Sequence, residues 1–472
     1  MFHRVVLILS LLLPMIFASA AVASPMHTPV NPIQRENARK GSTGWAVTTA
    51  ASAGSLSGYG SSTSVQAGSS IGFSVSTTAP RFRADIYRLG WYGGAGGRLM
   101  RSFPRLAGHH WSVPAPDPVT GLVACHWPPA FSIVIPSTWV SGVYLARLAL
   151  LDGHWAFIPF VVRARSNVSR FLLIRAVATE QAYNPWGGKS LYAGIGSHVP
   201  AVKVSFARPL ANAYGAGELF AWEYPTLSWL ERNGYDVSYA TDVDVHEHSS
   251  LLLHRKGILI AGHDEYWSKQ MRDGMDRAVA HGVNLAVLSA NAAYTQIRFG
   301  PLDGHPDRVI VCYRSAVRDP LTGIHNERLT VNWRDPPVRQ PESLLLGAMY
   351  GDYNLGHHYP MVVTSPHSWV FAGTGLQRGS TITGLVGSEW DHRVVPGYPV
   401  PDHMVVLARS PVIGTSGERT LSNATISEFP SGASVFDAGT LNWSAALGFS
   451  NRTGRLVRTI TETLLRHFGS AP

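Results

Sequence analysis

From about residue 165 the chain alternates between short apolar runs and amphipathic helical segments, and this alternation constrains the fold most. The apolar runs cover residues 171–174, 236–240, 257–262 and 283–288, and helical spacing covers 219–233 and 268–281. Strands that alternate with helices form a mainly parallel sheet covered on both faces. The sequence therefore predicts an α/β domain over residues 166–472.

The part of the chain before this domain has a different pattern. Residues 70–76 and 84–88 alternate between apolar and polar types, and further strand-like runs follow at 131–135, 142–148 and 154–162, with turn residues between them. Strands of this length and spacing are typical of a β-sandwich. Residues 44–165 are therefore predicted to form an immunoglobulin-like β-sandwich, and the whole fold is of the mixed class.

The first residues have the pattern of a cleaved signal peptide. Arg4 precedes an apolar run over residues 5–18, and Ala21-Val22-Ala23 fits the small-residue cleavage rule, with Ala18-Ser19-Ala20 as an alternative site. An uncleaved membrane anchor is the competing interpretation, against which the Pro14 break argues. Residues 1–23 are thus predicted to be a signal peptide and residues 24–43, which are polar and proline-containing, a flexible leader.

Export has consequences for the mature protein. No later stretch reaches the roughly 18 apolar residues that a spanning helix needs, so we expect a secreted or periplasmic protein without stable membrane insertion after cleavage. Cys125 and Cys312 either form one bridge between the two domains or are buried free thiols. Sequons at Asn167, Asn423, Asn442 and Asn451 matter only in a host that glycosylates.

The formal net charge of +9 is spread along the chain. There is no run of five basic residues, so the sequence excludes a nucleic-acid-binding signature. A glycine-rich stretch over residues 89–98 lacks the Gly-Lys-Ser/Thr ending of a phosphate loop and is interpreted as a tight turn.

Polar and aromatic residues follow three of the predicted parallel strands. Tyr183 lies beyond the first strand, His263 and Glu265 beyond another, and Asn291 beyond a third. Ligands of parallel sheets bind at the carboxyl ends of the strands, so these side chains are candidates for an active site. The alternative is that Asp264 or Glu265 caps the following helix, or that His263 is a hydrogen-bonded core residue.

Covalent catalysis does not fit this pattern. The α/β domain has a glutamine-amidotransferase-like character, but such an enzyme places a cysteine at the strand end, where this chain has His263. No cysteine lies within forty residues of that position. The pattern therefore argues against a cysteine nucleophile at this site.

Several long aromatic and glycine-rich strings resemble the large-subunit family of N,N-dimethylformamidase. They are Asp85-Ile-Tyr-Arg-Leu-Gly-Trp-Tyr-Gly-Gly-Ala-Gly-Gly-Arg98, Trp139-Val-Ser-Gly-Val-Tyr144, Gln181-Ala-Tyr-Asn-Pro-Trp-Gly-Gly188, Gly262-His-Asp-Glu-Tyr-Trp267 and Ser289-Ala-Asn291. The resemblance extends over about residues 50–450. This chain differs in its signal peptide and in a shorter N-terminus, so the family's small substrate and any small partner subunit do not transfer directly.

The resemblance implies an amide hydrolase with one ferric iron held by two tyrosines and a glutamate. These ligands would be Tyr183, Glu265 and, as the second tyrosine, Tyr144, which the residue pattern alone assigns to packing inside the sandwich. His263 and Asn291 would contact ligands or substrate, and Glu389 is a candidate general base. Phenolate and carboxylate oxygens suit a hard cation such as ferric iron.

The sequence therefore predicts an iron-dependent, formamidase-like hydrolase of the C–N bond in a small-molecule amide. The competing hypothesis is a non-catalytic binding protein on the same fold, with carbohydrate as a candidate ligand because the chain has 14 tryptophans. The joint presence of Tyr183, His263, Glu265 and Asn291 favours the enzyme. The sequence leaves the oligomeric state open.

Overall fold

The computed structural model describes residues 30–46, 55–166, 169–393 and 397–470. The predicted signal peptide lies outside these described residues. Within them, no helix combines the length and the apolar character that crossing a membrane requires.

The first region consists of two sheets packed face to face. Its strands are β1 Leu56–Gly60, β2 Ser64–Gln66, β3 Ser70–Thr77, β4 Arg81–Leu89, β5 Gly97–Ala107, β6 Pro129–Val134, β7 Gly142–Ala149 and β8 Trp155–Arg163. One sheet has the order β1-β3-β6 and the other β2-β8-β7-β4-β5. Phe73, Phe131 and Phe160 pack in the core between them. The specific likeness to an immunoglobulin domain stays a prediction.

The second region is built on a seven-stranded sheet. The remaining strands are β9 Phe171–Arg175, β10 Lys203–Ser205, β11 Val237–Thr241, β12 Gly257–Ala261, β13 Tyr266–Ser268, β14 Asn284–Leu288, β15 Thr295–Leu302, β16 His305–Val311, β17 Met349–Val362, β18 Thr381–His392, β19 His403–Ile413, β20 Arg419–Glu428 and β21 Ser434–Asp437. The sheet order is β11-β9-β12-β14-β21-β20-β19. The first five strands in this order are parallel to one another. Strand β20 pairs antiparallel with β21, and β19 pairs antiparallel with β20. A separate ribbon is formed by β17 and β18.

Helices cover both faces of this sheet because every residue of its central strands is buried. The helices are α1 Pro32–Asn37, α2 Val177–Tyr183, α3 Tyr224–Arg232, α4 Asp242–Glu247, α5 Lys269–Ala280, α6 Ser343–Leu346, α7 Asn442–Ala446 and α8 Arg452–Ser470. Leu173 and Leu259 share one core with residues of α3 and α8. Leu172 and Ile258 face the other way, into a core with α5. This alternation is the expected result of period-two side chains in a doubly covered strand.

The prediction of a flexible leader is wrong for its described part. Residues 32–37 form α1, which begins at Asn31: the Asn31 side chain accepts a hydrogen bond from the Gln34 amide, and the Gln34 side-chain oxygen accepts one from the Asn31 amide. Ile33 is buried, and the Asn37 carboxamide oxygen accepts from the Trp91 and Tyr92 amides. The Asn-Pro-x-Gln pattern is a capping box with proline in the first turn, so the prolines here start a helix instead of loosening the chain.

A buried ion pair joins the sandwich to the α/β region. Arg88 on β4 donates to both carboxylate oxygens of Glu231 on α3, at 2.8 and 2.7 Å, and both side chains are fully buried. Tyr239 donates to the same carboxylate at 2.8 Å, and the Tyr92 hydroxyl accepts from Arg88 at 3.2 Å. We call Arg88, Tyr92, Glu231 and Tyr239 the junction cluster.

Both cysteines are described, and both are free and buried. The interdomain bridge is therefore not formed, and the free-thiol alternative describes the structure. Burial raises the pKa of the Cys125 thiol to about 12, which makes it a poor nucleophile.

The described sequons differ in accessibility. Asn423 and Asn442 are buried, and the Asn423 side chain donates to the Ala408 carbonyl. Asn451 is exposed. Among the described sequons, only Asn451 is thus open to modification in the folded protein.

Candidate active site

A cavity of about 1020 Å³ lies at the carboxyl ends of the parallel strands and below the β17–β18 ribbon. Its lining includes all but one of the predicted site residues, Tyr144 being the exception. The cavity is lined by acidic, aromatic and apolar side chains, among them Tyr183, Tyr192, Glu218, Trp222, His263, Glu265, Asn291, Tyr294, Thr295, Arg314, Tyr350, Tyr353, Leu355, Glu389 and Leu441. This position agrees with the rule for ligand sites in parallel sheets.

Tyr183 reaches the cavity from the last residue of α2, which starts directly after β9. The loop beyond it is held by Arg208, a buried side chain that donates to the carbonyls of Gln181, Asn184, Trp186 and Lys189. One guanidinium thus satisfies four carbonyls of an irregular loop, which keeps them paired where no regular structure does so. The loop returns the chain to the cavity at Tyr192.

The segment after β12 turns sharply at Gly262. Its φ of +92° is unfavourable for other residues, and a Cβ there would lie 3.1 Å from the Glu223 side chain. The turn directs His263 and Glu265 into the cavity, and the Glu265 amide donates to Thr179 on α2. Ser268 is the residue that caps α5, so the alternative that Asp264 or Glu265 caps this helix is wrong.

The segment after β14 brings Asn291 to the same place. Asn291 has a left-handed φ of +55°, and its amide donates to the buried Asp391 carboxylate at 2.9 Å. The amides of Tyr294 and Thr295 donate to the Glu265 carbonyl. These backbone bonds join the two loops, so the side chains of Glu265 and Asn291 are fixed relative to each other.

Two phenols contact the Glu265 carboxylate, and a third contacts one of them. Tyr183 donates to Glu265 Oε2 at 2.8 Å, Tyr192 to Tyr183 at 2.6 Å, and Tyr266 to Tyr192 at 2.5 Å. Tyr192 Oη also lies 2.9 and 3.1 Å from the two Glu265 oxygens. We call Tyr183, Tyr192, Tyr266 and Glu265 the phenol cluster. Tyr192 accepts from Tyr266 and has three further oxygens within hydrogen-bond distance, but only one proton to donate.

A cation lies behind this cluster. The Arg314 guanidinium stacks 3.9 Å from the Tyr192 ring centroid and donates to the Tyr266 hydroxyl. Burial raises the pKa of Tyr183 and Tyr192 well above that of a free phenol, and the Glu265 carboxylate raises both further. The phenols are therefore neutral donors unless a further cation approaches them.

An acid–base group adjoins the phenol cluster. Glu389 Oε2 accepts from Asn291 Nδ2 at 2.7 Å and lies 3.2 Å from His263 Nε2. The other ring nitrogen, Nδ1, lies 3.8 Å from Glu218, and Nε2 lies 3.5 Å from Glu265. The histidine is thus surrounded by three carboxylates inside the cavity wall.

These contacts determine the charge states of His263 and Glu389. Burial lowers the pKa of His263, but the charges of Glu389, Glu218 and Glu265 and the hydrogen bond to Glu389 outweigh burial and raise it to about 10. Burial raises the pKa of Glu389, yet its contacts with His263 and Asn291 outweigh that effect, so the net pKa is lowered. At neutral pH Glu389 is therefore an ionised carboxylate beside an imidazolium, and in this state it can accept a proton.

The assignment of Tyr144 to the metal site is wrong. Tyr144 is fully buried in the sandwich core, where its ring stacks on Trp139 with centroids 5.1 Å apart. Its hydroxyl donates to the Val140 carbonyl at 2.7 Å. On β7 the neighbours Val143 and Leu145 pack against the α/β region, so the intervening Tyr144 must face the opposite side. The packing interpretation of this residue is the correct one.

Sequence reasoning missed Tyr192, Glu218, Arg314 and Tyr350. The signal for Tyr192 was its position in the loop that follows the same strand as Tyr183, nine residues later. The other three come from distant or irregular segments, and no spacing in the sequence connects them to the strand ends.

The cavity at the carboxyl edge of the parallel sheet brings together buried carboxylates, phenols and an imidazole. This combination is typical of a catalytic site in a mixed α/β protein. The family comparison makes this class specific. Residues 83–455 match the family described as N,N-dimethylformamidase beta subunit-like, C-terminal, and the chain belongs to this family.

Curated relatives are distant. The N,N-dimethylformamidase beta subunit of Paracoccus aminophilus is 24% identical over 223 residues, which cover 38% of this chain and 29% of the relative. The beta subunit from an Alcaligenes species is 23% identical with the same coverage. This chain therefore spans less than a third of the length of the relatives it matches. A solved cycloisomaltooligosaccharide glucanotransferase from Paenibacillus sp. covers 87% of this chain and 79% of its own length at 10% identity, but its TM-score of 0.17 supports no argument.

Proposed function

We propose that this protein hydrolyses the C–N bond of amides, with one ferric iron held by Tyr183, Tyr192 and Glu265. The observation that carries the proposal is the meeting of two groups in one cavity: the phenol cluster, and the Glu389–His263–Asn291 group beside it. Tyr192 replaces Tyr144 as the second tyrosine ligand.

The donor set of the phenol cluster fits such an ion. Within the described ranges, no group of three histidine, cysteine, aspartate or glutamate side chains has the arrangement of a metal site, whereas the phenol cluster offers two phenol oxygens beside a carboxylate. Two phenol oxygens and a carboxylate are hard oxygen donors, which suit a hard cation. Their mutual crowding, with more acceptors than protons around Tyr192, would be relieved by a positive charge at their centre. Bound iron would supply Lewis acidity toward the amide carbonyl oxygen.

The chain's own residues supply the proton transfers. A water molecule adds to the carbonyl carbon, the C–N bond breaks, and the products are a carboxylic acid and an amine. Glu389 takes the proton that the water loses and returns it to the nitrogen as the C–N bond breaks, which regenerates the carboxylate. Asn291 holds Glu389 at 2.7 Å, and the His263 charge keeps Glu389 ionised.

The substrate is proposed to be a small-molecule amide, in keeping with the names of the relatives. Export from the cytoplasm, predicted from residues 1–23, stays a prediction, as does the oligomeric state.

The proposal is tested with the full chain loaded with ferric iron and incubated with N,N-dimethylformamide, by measuring formate and dimethylamine. We expect equal amounts of both products. Glu389→Gln should lower kcat by about 100-fold or more, because general bases contribute at least that much, while iron content stays unchanged. The exposed Glu418→Gln is the matched control and should keep full activity. Iron-loaded protein that hydrolyses no amide would refute the proposal and favour a non-catalytic binding protein.

A further inference from the structure

The cavity is far larger than a dimethylformamide molecule requires. At about 1020 Å³ it reaches the upper end of the roughly 300–1,000 Å³ typical of pockets for drug-sized ligands. An amide with a one-carbon acyl group and two methyl groups would leave most of this space to water. The volume therefore points to a substrate with a substantial additional group.

The aromatic and apolar part of the cavity lining indicates the chemistry of that additional group on the substrate. Trp222, Tyr294, Tyr350 and Tyr353 line the cavity together with Leu355 and Leu441. The Tyr294 and Tyr350 rings pack against each other with centroids 4.9 Å apart. Aromatic surfaces of this kind pack well against ring-shaped and apolar groups.

These residues extend from the acid–base group to the rim of the cavity. On β17, Tyr350 is half-buried, Tyr353 is 40% exposed and Leu355 is 70% exposed. Tyr353 pairs in register with Glu389 across the ribbon. One edge of the β17–β18 ribbon thus carries the proton acceptor and the other carries an apolar surface that leads outward from it. We call Tyr350, Tyr353 and Leu355 the ribbon wall.

We infer that the preferred substrates are amides with an aromatic group attached close to the C–N bond, which packs against the ribbon wall while Glu389 acts on the bond. This inference rests on the proposed hydrolase function and specifies its substrate class. Hydrolysis of such an amide follows the same balance, with water consumed and an acid and an amine released.

The test compares two amides that differ in one group. N-benzyl-N-methylformamide carries a benzyl group where N,N-dimethylformamide carries a methyl group. With the iron-loaded full chain, we expect kcat/KM to be at least about tenfold higher for the benzyl compound, as is usual for added apolar contact in a fitted pocket. Tyr353→Ala should lower the ratio of the two kcat/KM values by about threefold or more. Tyr398→Ala, at 38% exposure and outside the cavity lining, should keep the wild-type ratio.

The outcomes distinguish the aromatic preference from the hydrolase function on which it rests. Hydrolysis of both amides with equal or lower kcat/KM for the benzyl compound overturns the aromatic preference and leaves the hydrolase function in place. A ratio that Tyr353→Ala does not change shows that the ribbon wall does not create the preference, which also overturns the inference. Hydrolysis of neither amide refutes the proposed function, and the inference falls with it.

Discussion

The junction cluster and the phenol cluster are made of the same kinds of side chain in different balance. Each buries a glutamate with tyrosine hydroxyls around it. At the junction, the Arg88 guanidinium neutralises Glu231 through two hydrogen bonds, and the group is closed to solvent. At the cavity, Glu218, Glu265 and Glu389 surround the imidazolium of His263, Arg314 stacks on Tyr192 without an ion pair to Glu265, and the group opens into a large space.

The difference separates a structural use of buried charge from a functional one. A paired buried charge holds two regions in register, and removing one partner leaves an uncompensated charge. An excess of carboxylates and phenols costs stability unless something positive binds among them. The same substitution should therefore cost much more stability at the junction cluster than at the phenol cluster.

The largest expected effect comes from neutralising the two glutamates in turn. Glu231→Gln leaves Arg88 unpaired and should reduce the free energy of unfolding by about 3–5 kcal/mol. Glu265→Gln in metal-free protein removes one of several crowded carboxylates and should change that free energy by no more than about 1 kcal/mol. Urea denaturation of both variants measures this. Equal losses would show that the two clusters do not differ as described.

A second buried acid pair supports Asn291 and gives a pH-dependent effect. Burial raises the pKa of Asp391 to about 7, and burial together with the Asp391 charge raises that of Asp437 well above its usual value. The folded state thus keeps a proton that the unfolded chain releases above about pH 4. The contribution of this pair to stability is therefore largest below about pH 4 and falls as pH rises from about 4 to about 7.

Asp437→Asn removes this shared proton and still accepts from the Gly439 amide. Between pH 5 and pH 7 the wild type should lose about 1.4 kcal/mol per pH unit more than the variant. Thermal unfolding at several pH values tests this. Parallel pH profiles for the two proteins would mean that Asp391 and Asp437 do not share a proton.

The smallest expected effect belongs to Tyr144. Tyr144→Phe removes one buried hydrogen bond to the Val140 carbonyl and keeps the ring stacked on Trp139. We expect a loss of about 1 kcal/mol in unfolding free energy, measured by denaturation, and no change in amide hydrolysis. A loss of activity in folded protein would contradict the placement of this residue in the sandwich core.

Much of the fold is predictable because burial leaves a direct trace in the sequence. Strands β9, β11, β12 and β14 are short apolar runs between helices, and Tyr183, His263, Glu265 and Asn291 follow strand ends at one sheet edge. The cavity brings these four together because the carboxyl ends of parallel strands meet there.

The errors have equally definite causes. Tyr144 lies on strand β7, where successive side chains point to opposite faces of the sheet. A motif resemblance does not show which of the two faces a residue occupies. Tyr192 lies in an irregular loop whose path depends on Arg208 and four carbonyls, contacts that no local pattern encodes. The sequence motif indicates Glu389 as a candidate general base, but only the pairing of β17 with β18 shows why this side chain reaches His263.

The central claim is that Tyr183, Tyr192 and Glu265 hold a ferric ion, and iron titration of three proteins tests it most directly. Wild-type protein should bind about one ferric ion per chain and develop a phenolate charge-transfer colour. Tyr192→Phe should lose most of the bound iron and the colour while its circular dichroism is unchanged, and Tyr144→Phe should bind iron and colour as the wild type does. If Tyr192→Phe binds as much iron as the wild type, or if Tyr144→Phe is the variant that bleaches, the proposed ligand set is wrong.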